Sequence, residues 1–437
     1  MDRLAETLMT ALARLLVRVF FRGIEIEGAD HLPAGQPVVL VANHTNGLVD
    51  GLLLMATLPR YPRFLGKSTL FKIPPLWPFL KLARVIPVFR QSDGGAGHDN
   101  DSAFSTCHAI LARRGMVALF PEGISHDETS IQPLRTGAAR IALEAATEHG
   151  VPDVVVVVAV GLTYDAKARF RSRALVRVGR PVAVSEVIGL DPDDDHEAVR
   201  QFTNVVASAL AVVSPPYASW LEVEQLSQIA QVVVRAPHGS LPEDVALRDQ
   251  AQVAEQLAAM DPSTTLALRQ AYEAYARDLD LLGLGDAQVV ASYPPARLRR
   301  ALVWALLKVV LTLPLALVGV AVHLVPFQLM KWVAKRPPNE GMKATVKLLG
   351  CFVLFSVVYV VIGVLVGRAF GAWLGLAASL AAPACGYATV RMGERLGRIG
   401  RLLEGHRVVS DRKRVLATVT THRDEVVRLA AAVLGPT

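Results

Sequence analysis

Two stretches in the last third of the chain, residues 348–367 and 369–390, contain no Asp, Glu, Lys or Arg. Each is about 20 residues long, and an apolar helix of that length crosses the hydrocarbon core of a bilayer, which is about 30 Å thick. Basic residues precede and follow the pair, and Arg368 separates the two stretches. Because basic flanks favour the cytoplasm, we expect a transmembrane hairpin over 346–390 in an integral membrane protein.

A third apolar run, residues 309–330, is harder to interpret as a span. Four residues that are uncommon in spanning helices interrupt it: Pro314, His323, Pro326 and Gln328. If this run also crossed, the basic clusters at 297–300 and 331–347 would lie on opposite faces of the membrane. We therefore expect an interfacial or re-entrant helix within a membrane region at 301–400, with a third span as the alternative.

The remaining composition narrows the class of partner. The chain has 437 residues and is 52% hydrophobic, and Lys plus Arg exceed Asp plus Glu by 46 − 39 = 7. This positive charge suits membrane lipid or phosphorylated ligands, and because no nucleic-acid-binding motif accompanies it, no nucleic acid partner is expected. The three cysteines are far apart and give neither a disulfide framework nor a zinc site. We expect no metal and no cofactor.

The N-terminal region, residues 1–35, carries two sets of side chains at helical spacing. The first set is apolar and the second is basic: Leu4, Leu8, Leu12, Leu15, Leu16 and Val19, then Arg14, Arg18 and Arg22. This pattern predicts an amphipathic helix in the membrane interface, with its arginines toward lipid phosphates. A surface helix packed on its own domain is the alternative.

Residues 36–185 are typical of an α/β domain. Short apolar runs rich in β-branched residues predict buried strands: VVLVAN, RVIPVF, MVALFP, VVVVVAVG and ALVRVG. Helical stretches such as HAILARR and GAARIALEAA lie between these runs. Residues 186–300 have fewer strand signals and predict a helical region, and residues 401–437 predict a basic cytoplasmic C-terminal helix.

The stretch VANHTNGLVDGLLL, residues 41–54, places His44 in the connection between a predicted strand and a predicted helix. On one continuous helix, His44 and Asp50 would be rotated apart by roughly 240°. They pair only if His44 lies in the loop and Asp50 in the first helical turn, with Gly47 allowing the chain to fold back. Such a pair would make His44 a general base. The alternative is a helix-start Asp beside an uninvolved His.

A second polar loop follows the predicted strand MVALF. The candidate residues of this loop, FPEGISHDETSIQPLRTGAARIAL, are Glu122, Gly123 and Arg135. Two more candidate cations precede the loop in the chain: Lys67, and Arg90 at the end of the predicted strand RVIPVF. A base, a carboxylate and several cations at strand ends predict one cleft that binds a phosphorylated substrate and removes a proton from it. The alternative role for Glu122 is to hold its loop by hydrogen bonds.

The motifs NHTNGLVD, IPVFR, FPEG and VVAVGLTY occur in an order that resembles the PlsC-like glycerolipid acyltransferase superfamily over about residues 35–180. The resemblance implies a mixed central sheet flanked by helices, here with a helical extension and C-terminal transmembrane helices. Most of the superfamily has four residues between the His and the Asp, whereas this sequence has five, Thr45 to Val49. That spacing, together with Asn46, resembles a branch of membrane glycerol-3-phosphate and dihydroxyacetone-phosphate acyltransferases.

The resemblance also implies an activity and roles for residues. His44 would be the general base and Asp50 its orienting partner. The other candidates would bind substrate. Arg90 would hold the acceptor phosphate, and Glu122 and Gly123 would shape the acceptor site. Lys67 and Arg135 would bind phosphate or coenzyme A. A fatty acyl group would pass from acyl-CoA or acyl-carrier protein to the sn-1 hydroxyl of glycerol 3-phosphate, or of dihydroxyacetone phosphate, in phospholipid biosynthesis. No covalent acyl-enzyme is expected, because the sequence has no G-x-S-x-G motif and no Cys near His44.

Three alternatives to this function stay open. The first is a lysophosphatidate acyltransferase, which would use the same residues on a more apolar acceptor to make phosphatidate. The second is a metal-dependent hydrolase with His44, Asp50 and Glu122 as ligands, although the HExxH motif is absent. The third is a membrane-binding protein whose α/β domain carries lipid without catalysis.

Overall fold

A computed structural model describes residues 2–74, 76–89, 100–147, 154–167, 169–186, 195–214, 217–235, 241–336, 340–411 and 413–435. The chain packs into two compact units. The first contains residues 1–218 and 333–350, and the second contains residues 219–332 and 351–437. The domain bounds predicted from the sequence stay a prediction.

The first unit is built on a seven-stranded sheet. Its strands are β1 (Phe21–Glu27), β2 (Val38–Ala42), β3 (Arg63–Lys67), β4 (Ile86–Val88), β5 (Met116–Leu119), β6 (Val156–Tyr164) and β7 (Ser172–Ala183). Across the sheet their order is β1-β7-β6-β2-β5-β3-β4. The strands from β6 to β4 are parallel, β7 is antiparallel to β6, and β1 is parallel to β7. The mixed central sheet implied by the resemblance is confirmed.

The five predicted strands correspond to β2, β4, β5, β6 and β7. The sequence pattern does not indicate β1 and β3, since neither contains a continuous apolar run. β1 is an edge strand whose sequence, FRGIEIE, alternates charged and apolar residues, and β3, RFLGK, begins and ends with a cation. Edge and near-edge strands tolerate such residues because one face or one side remains accessible to solvent.

Helices cover both faces of the sheet. The first unit contains α1 (Asp2–Phe20), α2 (Leu48–Thr57), α3 (Trp77–Leu82), α4 (Asp101–Leu111), α5 (Gly137–Thr147) and α6 (Asp195–Val213). Side chains alternate along a strand, so β2 sends Leu40 into one core with α1 and α2, and Val39 and Val41 into the other with α4, α5 and α6. Because the central strands are parallel, their carboxyl ends lie at one edge, where the loops carrying the candidate residues begin.

The second unit is helical. It contains α7 (Trp220–Val234), α8 (Leu247–Ala258), α9 (Pro262–Leu282), α10 (Asp286–Val290), α11 (Pro295–Val333), most of α12 (Glu340–Phe370), α13 (Ala372–Asp411) and α14 (Lys413–Leu434). Its buried charge centre is Asp286, which accepts hydrogen bonds from Tyr275 at 2.8 Å, from Arg423 at 2.8 Å and from Arg235. A buried carboxylate of this kind requires such partners.

Within the part of the chain that the structure describes, three helices are long and apolar enough to cross a membrane, which is the composition of a membrane protein. They are Pro295–Val333, Thr345–Phe370 and Ala372–Asp411. The predicted hairpin 346–390 lies in the last two, which are joined at Gly371 with a φ of +101°. The run 309–330 lies inside one continuous helix that contains both of its prolines. Its predicted interfacial or re-entrant placement stays a prediction.

Contacts between these helices give their relative directions. Arg395 of α13 donates to the carbonyl of Lys308 in α11, and Thr389 donates to the carbonyl of Ala316 at 2.9 Å. Residues later in α11 thus contact residues earlier in α13, so the two helices are antiparallel. α12 is also antiparallel to α13, because Gly363 packs against the backbone of Gly375 next to their connecting turn.

Candidate active site

The candidate site begins where β2 leaves the sheet. The Asn43 side chain is buried and continues the pairing with β6: its amide nitrogen donates to the Leu162 carbonyl at 3.1 Å, and its oxygen accepts from the Leu162 amide at 2.7 Å. These two bonds fix the position at which the chain turns away from the sheet. The next residue is His44.

His44 and Asp50 form the predicted pair. Gly47, with φ +57° and ψ −135°, turns the chain into α2, and Asp50 lies in the first turn of that helix. The His44 Nδ1 atom is 3.0 Å from Asp50 Oδ2. A non-glycine residue rarely adopts the Gly47 conformation, so this glycine permits the fifth intervening residue without separating the pair.

Asp50 is completely buried and holds three donors. Its Oδ2 atom accepts from His44 and from the Asn46 amide at 2.8 Å, and its Oδ1 atom accepts from the Tyr164 hydroxyl at 2.5 Å. An ionised carboxylate only accepts, so Nδ1 of His44 carries the proton and Nε2 carries the lone pair. Within the described residues, Nε2 makes no hydrogen bond, and the imidazole is 18% exposed.

Tyr164 stays a donor over the physiological pH range. Burial raises the pKa of its phenol well above the ordinary value, and the charge of Asp50 and the hydrogen bond to it raise the pKa further. The phenol is therefore neutral whenever Asp50 is ionised. The sequence pattern does not indicate a role for Tyr164, although it is the last residue of the motif VVAVGLTY.

The Glu122 carboxylate is fully enclosed by its own protein. It accepts from the His44 amide at 2.9 Å, from the Gln132 amide at 2.7 Å and from the His126 side chain. These contacts correspond to the alternative in which Glu122 holds its loop, and they also fix the main chain of His44. The assigned role of Glu122 in shaping the acceptor site stays a prediction.

The loop after β5 supports His44 on several sides. Phe120 stacks on the imidazole with ring centroids 3.9 Å apart and an 11° angle between the planes. The His126 amide donates to the His44 carbonyl at 3.2 Å, and the Ser125 hydroxyl accepts from the Gly47 amide at 3.1 Å. The two loops thus act as one rigid support for the imidazole.

Two of the three candidate cations, Arg135 and Lys67, lie within the described residues. Gly123 has a φ of +75°, and a Cβ there would lie 3.3 Å from Arg135 Cγ, so the Arg135 side chain runs along this turn into solvent. Lys67 ends β3, on the same edge of the sheet as His44. Arg90 lies outside the described residues. The substrate-binding roles of Lys67, Arg90 and Arg135 therefore stay predictions.

Two residues of α12, Thr345 and Leu348, contact the candidate site's helix α2 or its core within the first unit. The Thr345 hydroxyl accepts from the amide of Leu48, which begins α2, at 3.2 Å. Leu348 joins the hydrophobic core that contains α1 and α2. The same helix is apolar up to Phe370 and is long enough to cross a membrane.

The part of the chain that contains these residues is similar to a known protein family. The Acyltransferase family matches residues 23–159, which span β1 to the middle of β6. The chain therefore contains an acyltransferase-family domain, and the resemblance recognised from the motifs is confirmed.

Two relatives and one structure indicate the range of similarity. The chain is 28% identical to Glycerol-3-phosphate O-acyltransferase 2 of Saccharomyces cerevisiae, over 61% of this chain and 38% of that protein. It is 33% identical to 1-acyl-sn-glycerol-3-phosphate acyltransferase alpha of Ovis aries, over 39% of this chain and 57% of that protein. The crystal structure of the 1-acyl-sn-glycerophosphate acyltransferase PlsC from Thermotoga maritima is 17% identical, with a TM-score of 0.35, over 50% of this chain and 83% of that one. The chain thus spans less than two thirds of either relative.

Proposed function

We propose that this protein is a membrane-bound acyltransferase that transfers a fatty acyl group from acyl-CoA to the sn-1 hydroxyl of glycerol 3-phosphate. The observation that carries the proposal is the orientation of His44. Its Nδ1 is bound to the buried Asp50, so that Nε2 is left as a base at the carboxyl edge of the sheet. A hydroxyl is a weak nucleophile at neutral pH, and such a base activates it.

The proposed reaction is a direct transfer. As Nε2 of His44 takes the proton of the acceptor hydroxyl, the hydroxyl oxygen bonds to the thioester carbonyl carbon. The carbon–sulfur bond then breaks, and coenzyme A leaves as a thiol after receiving the proton from the imidazolium. Asp50 stabilises that imidazolium through Nδ1 and fixes the tautomer beforehand. Acyl-carrier protein would offer the same thioester as an alternative donor.

The candidate cations suit the phosphate of the acceptor. Lys67 ends β3 at the same edge as His44, and Arg135 lies in the loop that follows β5 from that edge. Arg90, predicted from the sequence as a third cation, lies outside the described residues. Cationic side chains bind phosphate by charge-assisted hydrogen bonds. Matches to glycerol-3-phosphate O-acyltransferases 1 and 2 of Saccharomyces cerevisiae, at 32% and 28% identity, favour glycerol 3-phosphate as the acceptor. The match to the sheep enzyme keeps lysophosphatidate as the alternative.

A lipid surface is the proposed setting for this transfer. Met9, Ala13 and Val17 of α1 are buried on the domain, whereas a second apolar stripe of the same helix, Leu4, Leu8 and Leu15, is 65%, 53% and 58% exposed. The exposed arginines Arg14 and Arg18 flank that stripe. The helix thus has both a packed face and a face suited to an anionic interface. The basic flanks of the apolar helices favour a domain on the cytoplasmic side.

Replacement of His44 tests the proposed catalysis. We expect His44→Ala to lower kcat at least about 10²-fold with radiolabelled glycerol 3-phosphate and acyl-CoA, because a general base contributes about that much. His422→Ala is the matched control, since His422 makes a similar Nδ1 contact with Asp278, at 2.6 Å, in the second unit. Its activity should stay within about twofold of wild type.

Other outcomes would favour the other classes. Unchanged transfer by the His44→Ala protein would contradict the proposal and favour a lipid-binding protein that copurifies with an enzyme. Loss of wild-type activity with a chelator, restored by a divalent cation, would favour the metal-dependent class.

A further inference from the structure

We propose that Tyr164 is a positioning residue for the transfer: its hydroxyl holds one oxygen of Asp50 so that the other oxygen faces Nδ1 of His44. This inference rests on the proposed function. Tyr164 does not touch the reacting atoms, and its effect passes through Asp50 to the imidazole.

The two oxygens of Asp50 have separate tasks. Oδ2 accepts from His44 Nδ1 at 3.0 Å and from the Asn46 amide at 2.8 Å. Oδ1 accepts from the Tyr164 hydroxyl at 2.5 Å, and in the described part of the chain no other group bonds to Oδ1. Because the carboxylate is completely buried, Oδ1 depends on a donor that the protein supplies.

Tyr164 is itself held in place. Its backbone pairs with Ala174 of β7, and its ring stacks on Phe21 with centroids 5.8 Å apart and planes 17° apart. The residue sits at the carboxyl end of β6, past the last pair that joins this strand to β2, Ala42 with Val160. A fixed strand therefore presents the hydroxyl to Asp50, while the loop around Gly47 presents His44.

Loss of the hydroxyl would leave Oδ1 as a buried acceptor without a donor. Such a group costs free energy, and the carboxylate relieves this by turning toward remaining donors, which weakens its hold on Nδ1. The imidazole would then exchange between its two neutral tautomers. In the tautomer protonated on Nε2, that atom has no lone pair with which to accept the proton of the acceptor hydroxyl.

The first test separates chemistry from binding. We expect Tyr164→Phe to lower kcat about tenfold or more, with KM values for glycerol 3-phosphate and acyl-CoA within about twofold of wild type. The control is Tyr61→Phe, which removes the phenol that donates to the Ala83 carbonyl at 3.0 Å in the same unit. Its kcat should be unchanged. An unchanged kcat for Tyr164→Phe, or an equal loss in both variants, would overturn the proposal.

A double-mutant cycle tests the route through Asp50. In an Asp50→Asn background, Tyr164→Phe should change kcat less than about twofold, because the residue through which the phenol acts is already altered. A full additional loss would contradict the proposed route.

The third test does not depend on activity. Nitrogen-15 NMR of histidine-labelled protein, with His44→Gln used to identify the signal, should give the Nδ1-protonated tautomer for His44 in the wild type. A mixture of tautomers is expected in Tyr164→Phe. A wild-type His44 protonated on Nε2 would overturn the inference, even if the Tyr164→Phe protein does not fold. If wild-type protein fails to acylate glycerol 3-phosphate, the proposed function fails and this measurement still tests the positioning.

Discussion

The surroundings of His44 and the apolar helices of the second unit differ in which side chains they bury and which they expose. Around His44, Asp50 in the first turn of α2 and Glu122 in the loop after β5 are buried, and both carboxylates accept hydrogen bonds from the protein. On the helices, large apolar side chains such as Val325 and Trp373 are 75% and 84% exposed. Hydrogen bonds around His44 therefore fix the positions of individual atoms. The apolar surface of the helices suits lipid, and a few contacts between the helices fix their relative directions.

Those few contacts bear on how many helices cross. Helices that cross one bilayer in succession alternate in direction, so the first and third would be parallel. α11 and α13 are antiparallel, because Lys308 and Ala316 meet Arg395 and Thr389 in reverse order. If the hairpin of α12 and α13 joined at Gly371 crosses, this order favours the expectation that α11 does not cross, which rests on its prolines and His323 and stays a prediction.

Cysteine labelling tests the membrane topology of the apolar helices, with the largest expected effect because each position is either labelled from one face or not. In a variant with Cys107, Cys351 and Cys385 replaced by Ala, single cysteines are introduced as Arg300→Cys, Arg336→Cys and Arg368→Cys. An impermeant maleimide applied to oriented vesicles should label the first two from one face, since α11 would begin and end there, and the third from the other face. Labelling of Arg300→Cys and Arg336→Cys from opposite faces would contradict this topology.

The loops should respond strongly to a change of a single polar atom. We expect Glu122→Gln to lower kcat about 10²-fold, because the amide group brings N–H donors against the donors of His44, Gln132 or His126. Glu128→Gln in the same loop is the control, since Glu128 is exposed. Acyl transfer at saturating substrate measures both variants. Equal activity of the two variants would indicate that the enclosed carboxylate does not support the site.

A corresponding polar contact in the apolar helices should matter less. His323 of α11 and Tyr359 of α12 are joined by a 2.8 Å hydrogen bond. We expect His323→Leu to lower the free energy of unfolding in detergent by about 0.6–2 kcal/mol, as for other hydrogen bonds between membrane helices, with kcat nearly unchanged. Tyr359→Phe should add little to His323→Leu if the two act as a pair. A loss of activity as large as that of Glu122→Gln would remove the contrast between the regions.

The sequence was sufficient for the parts of the site that depend on local order. The strand VVLVAN, the loop with His44 and the helix with Asp50 follow one another in the chain, so spacing and Gly47 predicted their meeting. The five predicted strands shared continuous apolar runs. β1 and β3 lacked such runs, because charged residues at their positions remain accessible, as Glu27 does at the sheet edge.

The residues that support His44 and its partners could not be predicted from the sequence, for a physical reason. Tyr164 meets Asp50 across 114 positions, and His126 and Gln132 meet Glu122 only after the loop has folded. Such contacts depend on strand order, and β6 lies beside β2 without following it in the chain. The directions of α11 and α13 were hidden for a related reason, since an apolar composition favours lipid in either direction.

The choice of acceptor tests the central claim most directly. Purified protein is given acyl-CoA with equal concentrations of glycerol 3-phosphate and lysophosphatidate that carry different radioactive isotopes, and products are separated by chromatography, with His44→Ala protein as the blank. The proposed function predicts that lysophosphatidate formed from glycerol 3-phosphate is the main product and is absent from the blank. Predominant formation of phosphatidate from the supplied lysophosphatidate would contradict it and assign the same His44 and Asp50 to the second acylation.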